Sequence, residues 1–274
     1  MILRANCKIN IGLDVLRRRE DRFHDLDTVM IPVLGLYDEV RVEPRLDSLD
    51  VTFEGVGLVV DCPAEDNLCV RAARLVQSRY DTAGVAITLD KRVPFGAGLG
   101  GGSSDATAVI VAMNEIFELR LPEEVLISLA AEIGSDTAFF VRNTPQLCTG
   151  RGEIMSPIEL DLAGLTLVLI KPEGVNVSTR EAYGGVRPTC PEHSLRELLA
   201  EPIEQWQGRV KNDFEPRIFE AYPLLAQIKS DLLDAGALYA AMSGSGSTIF
   251  GLFRNPQDAK SEQLESYSPY VYAL

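Results

Sequence analysis

The chain has 274 residues, 46 % hydrophobic and 24 % charged, enough for one large or two modest domains with an ordinary core. Acidic residues number 40 against 26 basic, a net charge of −14, and this argues against a nucleic-acid binder, which needs basic residues to displace counterions from phosphates. No apolar run approaches the ~20 residues that cross a bilayer, five scattered cysteines form no Cys-x-x-Cys pair, and two histidines are too few for a histidine-rich zinc site.

In chain order, the alternation from Met1 to Asn10 predicts a strand over 1–16 and not a leader, so a cytoplasmic protein with no membrane partner is expected. A second strand is predicted over 38–43. Asp66 can cap a helix whose apolar face includes Leu68, Ala72, Leu75 and Val76. Val85, Ile87 and Leu89 alternate as a strand, a glycine cluster follows, and Val109, Met113, Ile116 and Phe117 keep helical spacing within 104–119. Pro122 with Glu123 and Glu124 opens a further helix that Gly134 closes. The apolar run 165–170 predicts a buried strand, and one helix is predicted over 218–234. Strands over 237–242 and 248–253 are joined by Ser-Gly-Ser-Gly-Ser. Helices and strands do not alternate strictly, so the expected class is α+β. A junction is expected at Thr-Gly-Arg-Gly, giving domains 1–152 and 153–274.

Residues 94–105 read Pro-Phe-Gly-Ala-Gly-Leu-Gly-Gly-Gly-Ser-Ser-Asp, directly before the strongest helix. Glycine lets the backbone take positive φ and approach a ligand closely, so successive N–H groups can converge on an anion. The helix adds free N–H groups and the positive end of its dipole, and Ser103 and Ser104 add hydroxyls. A flexible linker is the alternative, but folding one between two well-defined elements would cost entropy with no return. The loop lacks the Gly-Lys-Ser/Thr ending of a Walker A motif. Gly96, Gly98 and Gly101 match the dinucleotide spacing Gly-x-Gly-x-x-Gly, a weak signal alone.

The run Pro-x-Gly-x-Gly-Leu-Gly-Gly-Gly-Ser-Ser resembles the second motif of the galactokinase, homoserine kinase, mevalonate kinase and phosphomevalonate kinase (GHMP) superfamily. Lys8-Ile9-Asn10 lies where its first motif does, Gly134-Ser135-Asp136 follows the next helix, and Met242-Ser243-Gly244-Ser245-Gly246-Ser247 resembles the third motif. Further stretches resemble one branch, whose acceptor is a cytidine-diphosphate-linked polyol: Phe23-His24-Asp25-Leu26, Asp66-Asn67-Leu68, Gly150-Arg151-Gly152-Glu153 and Asn212-Asp213-Phe214-Glu215. That branch typically has Tyr at position 23 and Pro at 138, and often Asn at 105.

The resemblance implies a two-domain GHMP-kinase fold and transfer of the γ-phosphate of ATP, with Mg²⁺, to an alcohol. It implies Asp136 as the group that orients the hydroxyl and takes its proton, with Lys8 stabilising charge on the γ-phosphate. From the residues alone, Asp136 reads as a turn cap and Lys8 as an exposed strand lysine. The implied nucleotide site is Asn67, Pro94, Gly96, Gly98, Leu99, Gly100, Gly101, Gly102, Ser103 and Ser104. The implied acceptor site is Asn10, Phe23, His24, Thr179 and Tyr183, with Phe23 and Tyr183 as stacking rings and His24 as a hydrogen-bonding group. No side chain is assigned to a metal, and Asn212 and Glu215 receive no role.

Overall fold

The computed structural model describes residues 1–59 and 62–274. In chain order it contains β1 (Ile2–Arg18), β2 (His24–Arg45), β3 (Val51–Gly57), α1 (Leu68–Tyr80), β4 (Gly84–Lys91), α2 (Gly101–Ile116), α3 (Glu123–Ile133) and α4 (Phe139–Arg142). There follow β5 (Gln146–Thr149), β6 (Ile154–Pro157), β7 (Thr166–Ile170), α5 (Thr179–Gly184), α6 (Leu195–Leu199), α7 (Glu215–Ala221), α8 (Pro223–Asp234), β8 (Tyr239–Met242), β9 (Ile249–Phe253), α9 (Glu262–Glu265) and β10 (Tyr270–Ala273). Among the described residues no helix is long and apolar enough to cross a membrane.

The mixture is α+β. It forms two compact units, each assembled from discontinuous segments: Met1–Lys8, Pro32–Phe95 and Gly100–Thr144 in the first, and Ile9–Ile31, Gly96–Leu99 and Pro145–Leu274 in the second. The 152/153 junction lies inside the second unit. In the first unit, β4 runs parallel to β3, with Val51 opposite Val85, and antiparallel to β2, with Glu39 opposite Asp90. Val85, Ile87 and Leu89 are buried as the period-2 pattern predicts. Helices α1, α2 and α3 pack on one another, and α1 also packs on β3 and β4. In the second unit, β2 pairs with β5 through Thr28–Met30, and a separate antiparallel sheet runs in the order β10-β7-β9-β8. All five residues of β7 are buried. Leu225, Ile228 and Leu232 of α8 place one helical stripe in the core with Phe214, Val168 and Phe253. Each such side chain contributes about 1.5–3 kcal/mol of burial.

Three expectations need correction. The predicted helix over 218–234 is two helices, because Pro223 disfavours helical backbone at the preceding residue, and Tyr222 sits at φ −129, ψ 76. Strand β2 begins at His24 and not near residue 38. Pro32 and Gly35 read as breakers, but Thr28–Ile31 and Val33 are buried and packing overrides the local signal. The cap of α1 is Asn67, whose side chain accepts from Cys69 N at 2.9 Å, while Asp66 closes a 3₁₀ turn before it. Asn67→Ala is therefore expected to lower stability by about 1 kcal/mol. Asp66→Ala should leave the urea midpoint unchanged, and the reverse order would return the cap to Asp66.

Candidate active site

Strand β1 has two faces, and both are buried between Ala5 and Val15. Ala5, Cys7, Ile9, Ile11, Leu13 and Val15 form an apolar face, and Asn6, Lys8, Asn10 and Asp14 alternate with them. A buried polar face needs partners. Lys8 Nζ lies 3.3 Å from Asp136 Oδ2, with the lysine side chain 3 % exposed and the aspartate 33 %. Lys8 is thus not the exposed strand lysine that its residue type alone suggests. Asp136 occupies the turn between α3 and α4, which is tied to α2 by Thr107 Oγ1 donating to Thr137 O at 2.7 Å. Gly100 has φ +68, and a Cβ there would stand 3.0 Å from both Lys8 Cε and Phe140 Cζ. The lysine stem therefore lies across a glycine. Asn10, two residues along the strand, donates from Nδ2 to Thr28 Oγ1 at 2.9 Å and from its backbone to Ser243 Oγ at 3.2 Å.

The glycine-rich segment enters α2 three residues earlier than the periodicity predicts, so Gly101 and Gly102 form the helix's first turn. Leu99, Gly101 and Ser104 are buried, Gly96 is exposed, and Pro94, Gly98, Gly100, Gly102 and Ser103 are half-buried. The loop after β8 holds the preceding residues. Ser243 Oγ donates to Gly98 O at 2.9 Å, and Thr248 N donates to Ala97 O at 3.2 Å. A Cβ on Gly98 would meet Ser243 O at 2.0 Å, so no other residue permits this approach.

Sequence reasoning left Asn212 and Glu215 without a role, and the fold supplies one. Asn212 Nδ2 donates to Met242 O and Gly244 O, both at 2.8 Å, and Glu215 accepts from Met242 N at 2.8 Å and from Lys229 Nζ at 2.6 Å. Together they fix the start of the serine–glycine loop that holds Gly98.

A second buried lysine was also missed. Lys91, the last residue of β4, bonds to Asp38 Oδ2 and to Asp105 Oδ2, the latter at 2.9 Å, and all three side chains are 0–2 % exposed. Asp38 Oδ1 accepts from Arg92 N and Val93 N at 2.6 and 2.7 Å. Burial pushes the Asp105 carboxyl up to about 8, with Lys91 opposing and Asp38 reinforcing the rise. Burial also pulls Lys91 down, but Asp105 and Asp38 outweigh it, and the ammonium is held above its ordinary value. Lys-Arg-Val-Pro ahead of the glycines is the only sequence signal, and it does not name the carboxylates.

The expected acceptor residues lie in the second unit. His24 stacks on Tyr183 with ring centroids 5.0 Å apart at 21°, and Tyr183 meets Phe214 edge-on at 4.8 Å. Thr179 lies one turn before Tyr183 on α5 and is exposed. Phe23 is 53 % exposed, with the Arg151 guanidinium 5.0 Å from its ring centroid. Arg151 Nε is itself 3.3 Å from Glu153 Oε1, within the Gly-Arg-Gly-Glu stretch. Burial, then Arg18, lowers the His24 value, so the ring is neutral near pH 7.

A kinase of small molecules is what this arrangement resembles, and comparison with known proteins agrees. Residues 67–144 match the GHMP kinases N terminal domain and residues 192–266 the GHMP kinases C terminal family. The chain belongs to the GHMP kinase family, whose members are ATP-dependent small-molecule kinases. It is 42 % identical over 267 residues, 97 % of this chain and 96 % of the other, to a Parabacteroides distasonis protein named 4-diphosphocytidyl-2-C-methyl-D-erythritol kinase. A protein of the same name from Cytophaga hutchinsonii is 38 % identical over the whole of both chains. A crystal structure of 4-(cytidine 5'-diphospho)-2C-methyl-D-erythritol kinase superposes with a TM-score of 0.82 at 32 % identity, covering 100 % of this chain and 98 % of that one. A homoserine kinase from Cytophaga hutchinsonii, at 21 % identity and a TM-score of 0.68 over 97 % and 93 % of the two chains, shares the fold.

The raised Asp105 value predicts a stability difference that depends on pH. A carboxyl whose folded value lies near 8 and whose unfolded value is ordinary binds more protons when folded. The stability this gives is complete below about pH 4 and is lost as pH rises through about 8. Asp105→Asn does not titrate, so in urea unfolding it should gain on the wild type from pH 5 to pH 8 and then level off. Parallel stability curves across that range would show that Asp105 titrates normally.

Proposed function

We propose that the chain transfers the γ-phosphate of ATP to the 2-hydroxyl of 4-diphosphocytidyl-2-C-methyl-D-erythritol, a step of non-mevalonate isoprenoid precursor synthesis. The observation that carries this reading is the Lys8–Asp136 pair, retained in a chain similar along 97 % of its length to a kinase of that name.

The glycine segment and the first turn of α2 hold the phosphates through backbone N–H groups, with the helix dipole favouring their charge. Gly96, Gly98, Gly100, Gly102 and Ser103 remain accessible for this, and Asn67 and Pro94 would border the nucleoside. Mg²⁺ would neutralise phosphate charge. Asp136, one-third exposed, orients the acceptor hydroxyl and takes its proton as the O–P bond forms. Lys8, buried with its stem across Gly100, lies beside that carboxylate, where it opposes charge developing on the transferred group. An ammonium acts more strongly there than in water because little solvent screens it.

An ADP-release assay over cytidylated methylerythritol, homoserine and mevalonate tests the acceptor, and turnover with the cytidylated compound alone is expected. Asp136→Asn should fold, bind ATP and lose about 10²–10⁴-fold in kcat. Lys8→Met should fall in the same class, and the double variant should lose less than the product of the two. Near-wild-type turnover in Asp136→Asn would remove that carboxylate from the mechanism.

Cytosine is flat, and Phe23 is the exposed ring that can stack on it, at roughly 1–3 kcal/mol per base. Tyr183 has one face filled by His24, so its part is to hold that imidazole, whose neutral ring can donate to the cytosine ring nitrogen. Asn10 and Thr179 would complete the polar contacts. Phe23→Ala is expected to raise KM for the acceptor and leave KM for ATP unchanged. His24→Ala and Tyr183→Leu should both narrow the preference for a cytidine over a uridine acceptor. An unchanged preference in His24→Ala would take base recognition away from that side chain.

A further inference from the structure

The buried group at the foot of the glycine loop has no part in the chemistry above. We propose that Lys91, gripped between Asp38 and Asp105, is a positioning residue for ATP: it holds the first turn of α2, and the amide groups there, in the conformation that receives the nucleotide's phosphates. The proposal rests on the reading of that loop as the phosphate site.

Three observations carry it. First, the connections span the loop at its base. Asp38 binds the chain as it leaves β4, through Arg92 N and Val93 N, and also binds the Lys91 ammonium. That ammonium reaches across to Asp105 on the first turns of α2. Strand exit and helix entry are thereby closed on one cation, with the glycine segment as the intervening span. Second, the contact falls on the helix turn itself. A Cβ on Gly101 would lie 2.9 Å from Lys91 Nζ and 2.9 Å from Val93 Cγ1, so the ammonium occupies the space that glycine leaves. The missing side chain at Gly101 points at Lys91 and not outward, whereas a Cβ on Gly102 would meet only Leu68 Cδ1 at 3.6 Å. Third, burying three ionisable groups is a poor way to gain stability, since apolar replacements of equal volume often do as well. What ions give that apolar groups do not is a fixed direction and distance, and the fixed object here is a turn whose N–H groups are unpaired within the helix.

The position acts through the backbone, so the measurement is ATP affinity by calorimetry on the full chain without acceptor, with thermal unfolding beside it. Asp105→Asn keeps an oxygen for Lys91 and should bind ATP as the wild type does. Asp105→Leu cannot accept from Lys91, and its ATP affinity should fall about tenfold or more, as displaced binding groups do. Asp105→Ser, too short to reach the ammonium and easily held in a helix, should fall likewise and serves if the leucine variant does not fold. Gly102→Val, whose Cβ would meet only Leu68 Cδ1 at 3.6 Å, should also lose ATP and reports on the loop itself. Asp105→Ser that melts earlier yet binds ATP normally, while Gly102→Val loses it, would overturn the positioning role alone. Normal ATP affinity in both would overturn the loop reading and this proposal with it.

Discussion

The constraint on which the site depends is the absence of a Cβ at three points of one short segment. At Gly98 the backbone meets a carbonyl of the serine–glycine loop, at Gly100 it lies under the stem of Lys8, and at Gly101 it lies over the ammonium of Lys91. Each approach is closer than any other residue allows without a shift of its neighbour. The glycines therefore do more than let a chain bend. They let one stretch of backbone be located from its protein side by three independent neighbours, while Gly96, Gly102 and Ser103 stay open on the other. A loop that must present amides to an anion pays its entropy cost before the ligand arrives when it is held in this way.

The two buried lysines show how environment divides one residue type into two tasks. Lys91 faces two carboxylates that are themselves fully buried, so its charge is consumed inside the fold. Lys8 is equally buried, but its aspartate partner is one-third exposed, so this pair meets solvent where the other does not. A protein of net charge −14 that binds anionic molecules needs this local arrangement, because the average field of its surface repels them.

Elements whose pattern comes from their own residues were legible in the sequence. The alternation in β4, the apolar run of β7 and the spacing in α2 each report a single element packing one face. Lys8 and Asp136 were legible only through four motifs in register, since a lysine in a strand and an aspartate in a turn are ordinary alone. The rest was hidden because it depends on residues distant in sequence. Asp38, Lys91 and Asp105 come from three elements, and nothing local to any of them marks the meeting. Asn212 and Glu215 reach carbonyl and amide groups at the end of β8, about 30 positions on, so their motif could be recognised without its purpose. Asp66 and Asn67 are both good cap residues in neighbouring positions, and only the preceding turn decides between them.

Asp105 stands where the glycine segment enters α2, against Lys91. The related branch often carries asparagine there, and a carboxylate beside a phosphate loop looks like a defect when read as a charge. In the fold it is buried against Lys91 with Asp38 close by, and burial raises its carboxyl well above the ordinary range, toward the neutral form. A protonated carboxyl is neutral, nearly isosteric with a carboxamide and still able to accept from the ammonium. Lys91 bonds to both carboxyl groups, so the loop beside them meets little net negative charge. An aspartate can therefore stand where an amide is common because its surroundings remove the property that distinguishes them.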